Sequence, residues 1–192
     1  MINRMSTPTT LDREAALTIS REELAMRIAA ASLLRGNFTL RSGRTSTFYL
    51  DKYLFSTDPA ILARLGVEFA ARLPAGTMRL AGAELGGIPL VTCASMASGL
   101  PSIFIRNAKK EYGTAKQLEG RLEPGDRVTI VEDVATTGGQ ALEAAKVVRD
   151  NGGEVLAIIA TIDRLEGARE NIEAAGIRFD AIFTVRDLGV IT

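Results

Sequence analysis

The sequence predicts an α/β protein with a central, mostly parallel β-sheet and helices on both of its faces. From about residue 78 onward, short apolar runs alternate with stretches whose apolar residues recur at helical spacing. The apolar runs are continuous, which is typical of strands that are buried on both faces. With 192 residues, of which 46% are hydrophobic, the chain suits one domain with a sizeable core.

The domain organisation follows from the same pattern. Residues 1–19 are rich in Thr and Ser, which indicates a variable extension. No linker or repeat interrupts residues 20–192, and we expect them to form one domain. Strand–helix alternation begins at about residue 78, after an N-terminal unit with a different pattern.

In the N-terminal unit, we expect a helix followed by two short strands. Ser20 is typical of an N-cap, with Glu23 as its capping-box partner, and helical spacing continues to about Arg35, where Gly36 ends it. The strands are expected at residues 38–40 and 47–50, on either side of a Ser-Gly-Arg turn.

In the core, a helix begins at Asp58 and Pro59, because Pro is favoured at the first helical position. Further strands are predicted at residues 78–83, 101–106, 128–131, 155–162 and 179–185, and helices at 87–99, 139–151 and 167–175. Since ligands of such sheets bind beyond the carboxyl ends of the strands, we expect a binding site at that edge.

Composition excludes several classes of function. Lys and Arg together number 23, as do Asp and Glu, so no basic field indicates nucleic acid or an anionic membrane surface. No apolar run approaches the length of about 18 residues that spans a bilayer. The chain has no His, so acid–base chemistry would fall to Asp, Glu, Lys or Tyr. Cys93 is the single cysteine, which fits a packing residue and a cytoplasmic location.

The segment at residues 128–139 carries the strongest functional signal. An apolar strand ends at Glu132 and Asp133, and an Ala-Thr-Thr-Gly-Gly turn leads into a helix. Adjacent acids are poor core residues, and they could accept hydrogen bonds from sugar hydroxyls. The turn could direct N–H groups at a phosphate beside a helix N-terminus. The segment lacks the Walker and dinucleotide patterns, and taken alone it indicates only a ribose-phosphate site.

A long connection at residues 106–120 interrupts the alternation of strands and helices. It contains Lys109, Lys110 and Lys116, and the glycines Gly113 and Gly120 are suited to hinges. A solvated hairpin is one interpretation of such a charged segment. Because the connection directly follows a central strand, we favour a mobile basic lid over an anionic substrate.

These segments resemble a known family. Residues 132–140 resemble the phosphoribosyl pyrophosphate (PRPP) signature of type I phosphoribosyltransferases. Three further segments narrow the resemblance to orotate phosphoribosyltransferases. Residues 38–51 look like the N-terminal hood of that family, 106–120 like its lid, and 163–167 like the segment whose arginine meets orotate. The resemblance extends over roughly residues 20–190. It implies the type I phosphoribosyltransferase fold, with a hood at 20–55 and a core at 56–192.

The resemblance implies roles for individual residues. Glu132 and Asp133 would hold the ribose hydroxyls, and Arg164 would meet the orotate carboxylate. The PRPP site would comprise Arg41, Arg106, Lys109, Lys110, Tyr112, Glu132, Asp133, Val134, Ala135, Thr136, Thr137, Gly138, Gly139 and Gln140. The orotate contacts would be Phe48, Tyr49, Thr136 and Arg164, and the catalytic residues Arg106, Lys110, Tyr112 and Asp133.

The implied activity is transfer of ribose 5-phosphate from PRPP to orotate, which yields orotidine 5′-phosphate and pyrophosphate in pyrimidine biosynthesis. Mg²⁺ would bind mainly through PRPP, without a dedicated protein site, and two subunits of a homodimer would share their lids. Three positions depart from the commonest pattern of the family. Asn107 stands where a second basic lid residue is frequent, Arg41 where Lys is common, and Tyr112 where some members have His.

Three alternatives remain open at this point. A type I phosphoribosyltransferase for another base is disfavoured by Arg164, because a purine has no carboxylate for that arginine to meet. A regulatory protein that binds PRPP without useful turnover would fit Asn107, but the lid favours an enzyme. A plain nucleotide-binding α/β domain explains neither the lid nor the hood.

Overall fold

A mostly parallel sheet forms the centre of the protein. The structure, a computed structural model, describes residues 17–39, 45–107 and 117–190. Among these residues, six strands form one sheet in the order β5-β4-β3-β6-β7-β8, and β1 and β2 form a separate antiparallel pair. All neighbours in the larger sheet are parallel except β5, which runs antiparallel to β4 at the edge. The predicted α/β class is therefore confirmed.

The strands and helices have the following bounds. The strands are β1 (Leu33–Thr39), β2 (Thr45–Leu50), β3 (Arg79–Ala83), β4 (Ser102–Ile105), β5 (Leu118–Glu119), β6 (Arg127–Ala135), β7 (Glu154–Asp163) and β8 (Arg178–Thr184). The helices are α1 (Arg21–Ser32), α2 (Lys52–Ser56), α3 (Pro59–Arg72), α4 (Gly87–Ser98), α5 (Gly139–Asp150) and α6 (Ala168–Ala174).

The N-terminal unit differs from its prediction at two places. Helix α1 ends at Ser32 rather than near Arg35, because the chain turns extended at Leu33 and pairs with β2. This cross-strand pairing overrides the helical spacing of the sequence, and Gly36 lies where the register shifts between the strands. The short helix α2 was not predicted, since it is too short to show apolar periodicity, although Asp51 caps it by accepting from the Tyr53 N–H.

Strand β6 is longer than the predicted 128–131 and runs through Glu132 and Asp133 to Ala135. Its pairing with β7 continues to the last residue, where Ala135 lies opposite Asp163. The prediction that the strand ends at the acids was wrong, because the ladder to β7 holds them in extended conformation. Both acids are therefore fixed by the sheet rather than carried on a loop.

Helices cover both faces of the sheet. Among the described residues, α1, α3 and α4 supply one apolar cluster, which includes Leu24, Leu65 and Leu90, and α5 and α6 pack in a second cluster with Val148 and Ile172. No helix in the described ranges is long and apolar enough to cross a bilayer.

A close approach brings the start of α4 against β3. A Cβ on Gly82 would lie 2.5 Å from the carbonyl oxygen of Gly87, so a side chain there would collide with backbone. The two glycines allow the backbones to touch. This contact places the loop at residues 84–86 beside the end of β6 and close to its acids.

Candidate active site

Four segments meet at the carboxyl edge of the parallel sheet. They follow β3, β4, β6 and β7, whose carboxyl ends lie side by side in the sheet order. At this edge Ala83 pairs with Ile105, and Ala135 pairs with Asp163. The site that the sequence predicted at this edge is therefore assembled from segments that are distant in sequence.

The turn after β6 encloses a small cavity of about 80 Å³. Most of the predicted PRPP-binding segment lines it, namely Glu132, Val134, Ala135, Thr136, Thr137, Gly138, Gly139, Gln140 and Ala141. Gly138 adopts φ 79°, and a Cβ there would lie 2.9 Å from the Ile172 side chain, so the turn requires glycine. The Asn171 side chain donates to the Thr137 carbonyl at 2.9 Å and holds the turn from the side of α6.

Helix α5 begins directly at this turn. In the described part of the chain, no side chain caps its first N–H groups. A helix N-terminus offers unpaired N–H donors and a positive partial charge, which together favour a phosphate. The turn and the start of α5 thus have a geometry that suits a phosphate.

The two acids are both buried but have different partners. Asp133 is 2% exposed; its Oδ2 lies 2.8 Å from Lys52 Nζ, and its Oδ1 accepts from the Val134 N–H at 2.5 Å. Glu132 is 4% exposed and lines the cavity, and its Oε2 has no hydrogen-bond partner among the described residues. A buried carboxylate oxygen without a partner is costly. Glu132 therefore presents an unpaired oxygen that a ligand hydroxyl could meet.

Burial and charge shift the ionisation of this group. Burial raises the pKa of Glu132 to about 8; repulsion from Asp133 adds to the effect, and Lys52 opposes it. For Lys52, burial lowers the pKa, but attraction by Asp133 and a hydrogen bond to it outweigh burial, and the net shift is upward. Lys52 therefore remains charged at neutral pH and offsets part of the negative charge at the site.

Arg164 lies just beyond β7, where its N–H donates to the Ala135 carbonyl at 2.9 Å. Its Nη2 is 3.0 Å from Glu166 Oε1, and its guanidinium lies over the Phe48 ring, 5.1 Å from the centroid. Its Nε is buried without a partner in the described ranges. The structure thus brings Arg164 and Phe48 together, as the predicted orotate site requires.

Tyr49 is placed differently from its neighbour Phe48. Its side chain is 44% exposed, and its ring lies 5.7 Å from that of Phe38. Successive strand residues point to opposite faces, so Phe48 and Tyr49 do not share one contact surface. In this arrangement Phe48 is at the candidate site beside Arg164, whereas the role predicted for Tyr49 stays a prediction.

The base of the predicted lid is held by hydrogen bonds. The Arg106 N–H donates to the Gln117 carbonyl at 2.8 Å, and Gln117 Nε2 donates to the Arg106 carbonyl at 3.0 Å. The Asn107 N–H donates to Glu84 Oε1 at 2.8 Å, and Asn107 Nδ2 to the Glu84 carbonyl at 3.3 Å. Gln140 Nε2 reaches the same carbonyl at 3.2 Å. Glu84 therefore links the lid base to helix α5.

Some predicted residues lie outside the described ranges, and their roles stay predictions. They are Arg41, Lys109, Lys110 and Tyr112. Sequence reasoning missed Lys52, which the fold brings to the site. Lys52 directly follows the hood-like segment at 38–51, but nothing in the sequence connects it with Asp133. Within the described residues, no group of three Asp, Glu or Cys side chains could hold a metal ion.

Comparison with known proteins adds independent findings. The chain is 45% identical over 153 residues to the orotate phosphoribosyltransferase of Methanocella arvoryzae, a match that covers 80% of this chain and 87% of that protein. It is 42% identical over 168 residues to that of Halobacterium salinarum, which covers 87% of this chain and 95% of that one. No family model matches the chain.

Solved structures of similar proteins have the same architecture. Orotate phosphoribosyltransferase of Mycobacterium tuberculosis in complex with PRPP superposes with a TM-score of 0.74 at 34% identity, covering 88% of this chain and 99% of that chain. The same protein in complex with Fe(III) dicitrate gives a TM-score of 0.78. Adenine phosphoribosyltransferase of Leishmania donovani, at 17% identity and a TM-score of 0.67, shares the fold alone.

Proposed function

Because this chain belongs to the orotate phosphoribosyltransferase family, we propose that it transfers the 5-phosphoribosyl group of PRPP to orotate. The observation that carries the proposal is the junction of two subsites at one sheet edge. The cavity beneath Glu132 and the turn at 135–140 suits a ribose phosphate. Beside it, Arg164 and Phe48 offer a cation and a ring to a flat acid.

The donor subsite holds PRPP through its phosphate and its ribose. The turn and the start of α5 surround the 5-phosphate with N–H donors, and the Thr136 and Thr137 hydroxyls add polar contacts. Glu132 accepts from a ribose hydroxyl through its unpaired Oε2, and Asp133 accepts from the other. Arg106, at the end of β4, meets the pyrophosphate together with Lys109, Lys110 and Tyr112.

The acceptor subsite recognises a planar carboxylate. Arg164 presents a fork of donors that matches a carboxylate bidentately, and the acceptor replaces Glu166 as its anionic partner. Phe48 lies against the guanidinium and provides an apolar face for the pyrimidine ring. This pair selects orotate over a base that lacks a carboxylate.

The chemistry needs charge placement rather than a nucleophilic side chain. The C1′–O bond to pyrophosphate breaks with its electron pair on the leaving oxygen, and a ring nitrogen of orotate forms the new C1′–N bond. The ribosyl centre becomes cation-like in between, so water must be excluded. Arg106 and the lid lysines stabilise the developing charge on pyrophosphate. A chain without His, and with a half-buried Cys93 whose pKa is raised to about 12, suits this mechanism.

Mg²⁺ belongs to the proposal as a partner of PRPP. When bound, it neutralises charge on the pyrophosphate. The described residues fit a metal held mainly by substrate oxygens and water, because Asp133 already pairs with Lys52. Glu132, with its unpaired oxygen, is the side chain that would face such a complex.

The proposal also covers the location, the oligomeric state, the pathway and the domain division of the enzyme. We place it in the cytoplasm as a homodimer in de novo pyrimidine biosynthesis, with the segment at 106–120 of each subunit serving its partner. The chain would then divide into an extension at 1–19, a hood at 20–55 and a core at 56–192. Size-exclusion chromatography with light scattering tests the dimer.

One assay tests the activity. Protein, Mg²⁺, PRPP and orotate are mixed, and the ultraviolet absorbance of orotate is followed with and without PRPP. Loss of absorbance that depends on PRPP is the expected result. PRPP binding without turnover would indicate a regulatory protein, and turnover of a purine base in place of orotate would indicate another transferase of the same fold.

A further inference from the structure

We propose that Lys52, presented by the N-terminal unit, is a positioning residue that holds the Asp133 carboxylate for the ribose of PRPP. The inference rests on the proposed function for the identity of the ligand. Lys52 is the first residue of α2, directly after the strand that carries Phe48. It reaches from the hood to the centre of the sheet edge, where its Nζ lies 2.8 Å from Asp133 Oδ2.

Three contacts fix the Asp133 carboxylate. Lys52 approaches Oδ2, and the Val134 N–H donates to Oδ1 at 2.5 Å. On a third side the backbone at Gly86 lies so close that a Cβ there would fall 1.6 Å from Oδ2. A carboxylate has about four lone-pair directions, so these contacts set its orientation and still leave acceptor capacity for a hydroxyl.

The charge of Lys52 matters because the acids are adjacent and buried. Two carboxylates in contact resist joint ionisation. The charged groups that face Asp133 in the described residues are Glu132 from β6 and Lys52 from α2, while the loop at 84–86 presents the Gly86 backbone. Without Lys52, Glu132 would hold its proton to higher pH, and the pair would accept fewer hydrogen bonds from ribose.

The position of Lys52 also connects the hood to the donor subsite. Phe48 and Lys52 are four residues apart, and they contact Arg164 and Asp133 respectively. One short segment therefore reaches both candidate subsites. A purely structural ion pair would stabilise the fold but would leave PRPP affinity and its pH dependence unchanged.

The test is calorimetric titration of the full-length protein with PRPP and Mg²⁺, without orotate, between pH 6 and pH 9. The variants are Lys52→Met, Lys52→Gln and Lys52→Arg. The matched control is Lys146→Met, since Lys146 forms an exposed pair with Asp150 at 2.6 Å. Thermal unfolding accompanies each variant, so that Lys52→Gln decides the question if Lys52→Met does not fold.

The expected result is a Kd for PRPP that rises about 10–100-fold in Lys52→Met and Lys52→Gln at neutral pH. The pH at which affinity is half-lost should move upward in both variants, whereas Lys52→Arg and Lys146→Met stay near wild type. Unchanged or tighter PRPP binding in Lys52→Met overturns the inference.

Failure of the proposed function gives a different pattern. If the wild type binds PRPP but does not consume orotate, the transfer is wrong, and the variant affinities still decide the role of Lys52. If the wild type turns over orotate while the Lys52 variants bind PRPP normally, the transfer stands and Lys52 has no positioning role. If the wild type does not bind PRPP, both proposals are wrong.

Discussion

Gly86→Ala is a substitution whose effect should fall on the Asp133 side chain alone. Gly86 has φ −67° and ψ −29°, which alanine adopts without strain. The new Cβ would lie 1.6 Å from Asp133 Oδ2 and 2.7 Å from its Cγ. Since non-bonded carbon contacts are most favourable near 3.5–4 Å, the carboxylate would have to retreat by about 2 Å.

A displacement of about 2 Å is enough to break the contacts of the Asp133 carboxylate. Lys52 lies 2.8 Å from the displaced oxygen, so the ion pair would separate. A misplacement of about 1 Å in an active site can lower the rate about 10²-fold, and we expect a loss of that order in kcat/KM for PRPP. The melting temperature should also fall, because Lys52 can regain water but the displaced Asp133 carboxylate stays buried without its cation.

Initial rates at varied PRPP, together with thermal unfolding, measure both effects. A double-mutant cycle with Lys52→Met serves as the control, since two changes that break the same contact should be less than additive. If Gly86→Ala retained kcat/KM for PRPP within threefold, Asp133 would not need its observed position, and the reasoning would fail.

Three further substitutions separate the parts of the site. Arg164→Met should raise KM for orotate about 10–100-fold, with a smaller change in KM for PRPP. Arg164→Lys should recover only part of the loss, because an ammonium group lacks the planar fork of a guanidinium. Equal effects on the KM values of both substrates would contradict this role of Arg164. Asn107→Ala removes the bond to the Glu84 carbonyl and should lower kcat about two- to tenfold in steady-state assays at unchanged melting temperature; an unaltered kcat would show that this bond does not serve the lid. Glu132→Gln tests the pKa raised to about 8. The stability that protonated Glu132 contributes is fully present below its ordinary pKa of 4.5 and is lost as the pH rises through 8. In urea unfolding experiments, the free energy of unfolding of the wild type should therefore fall between these two pH values, and Glu132→Gln should lack this fall.

The architecture could be predicted because the strands are buried on both faces. Residues 155–162, for example, form a continuous apolar run that can be stable only inside a covered sheet. The family and its fold were predicted from motifs, and the comparisons confirm both. The predicted end of α1 was wrong because Leu33 pairs with Leu50, which is distant in sequence. Helical spacing carries no information about such a contact.

The candidate site was predictable where one segment contains it. The turn at 135–140 is local, so its glycines and threonines already indicate a phosphate. Lys52 could not be predicted, because its role arises when segments from different parts of the chain meet. Asn107 is a second example. In the sequence it is a neutral residue where a basic one is frequent, whereas in the structure its backbone and its side chain donate hydrogen bonds to Glu84 at the base of the predicted lid.

The N-terminal unit explains how the donor and acceptor subsites can be ordered together. Phe48 contacts the Arg164 guanidinium just beyond β7, and Lys52 contacts Asp133 near the end of β6. Strands β6 and β7 are neighbours in the sheet, so the N-terminal unit contacts the ends of two adjacent strands. Leu50 and Phe55, which flank Lys52, are buried in the core cluster and fix the unit to the sheet. Because a single packed segment carries both contacts, any movement of the unit must alter the two subsites at once. Under the proposed function, the hood is therefore a part of the active site rather than a cover over it.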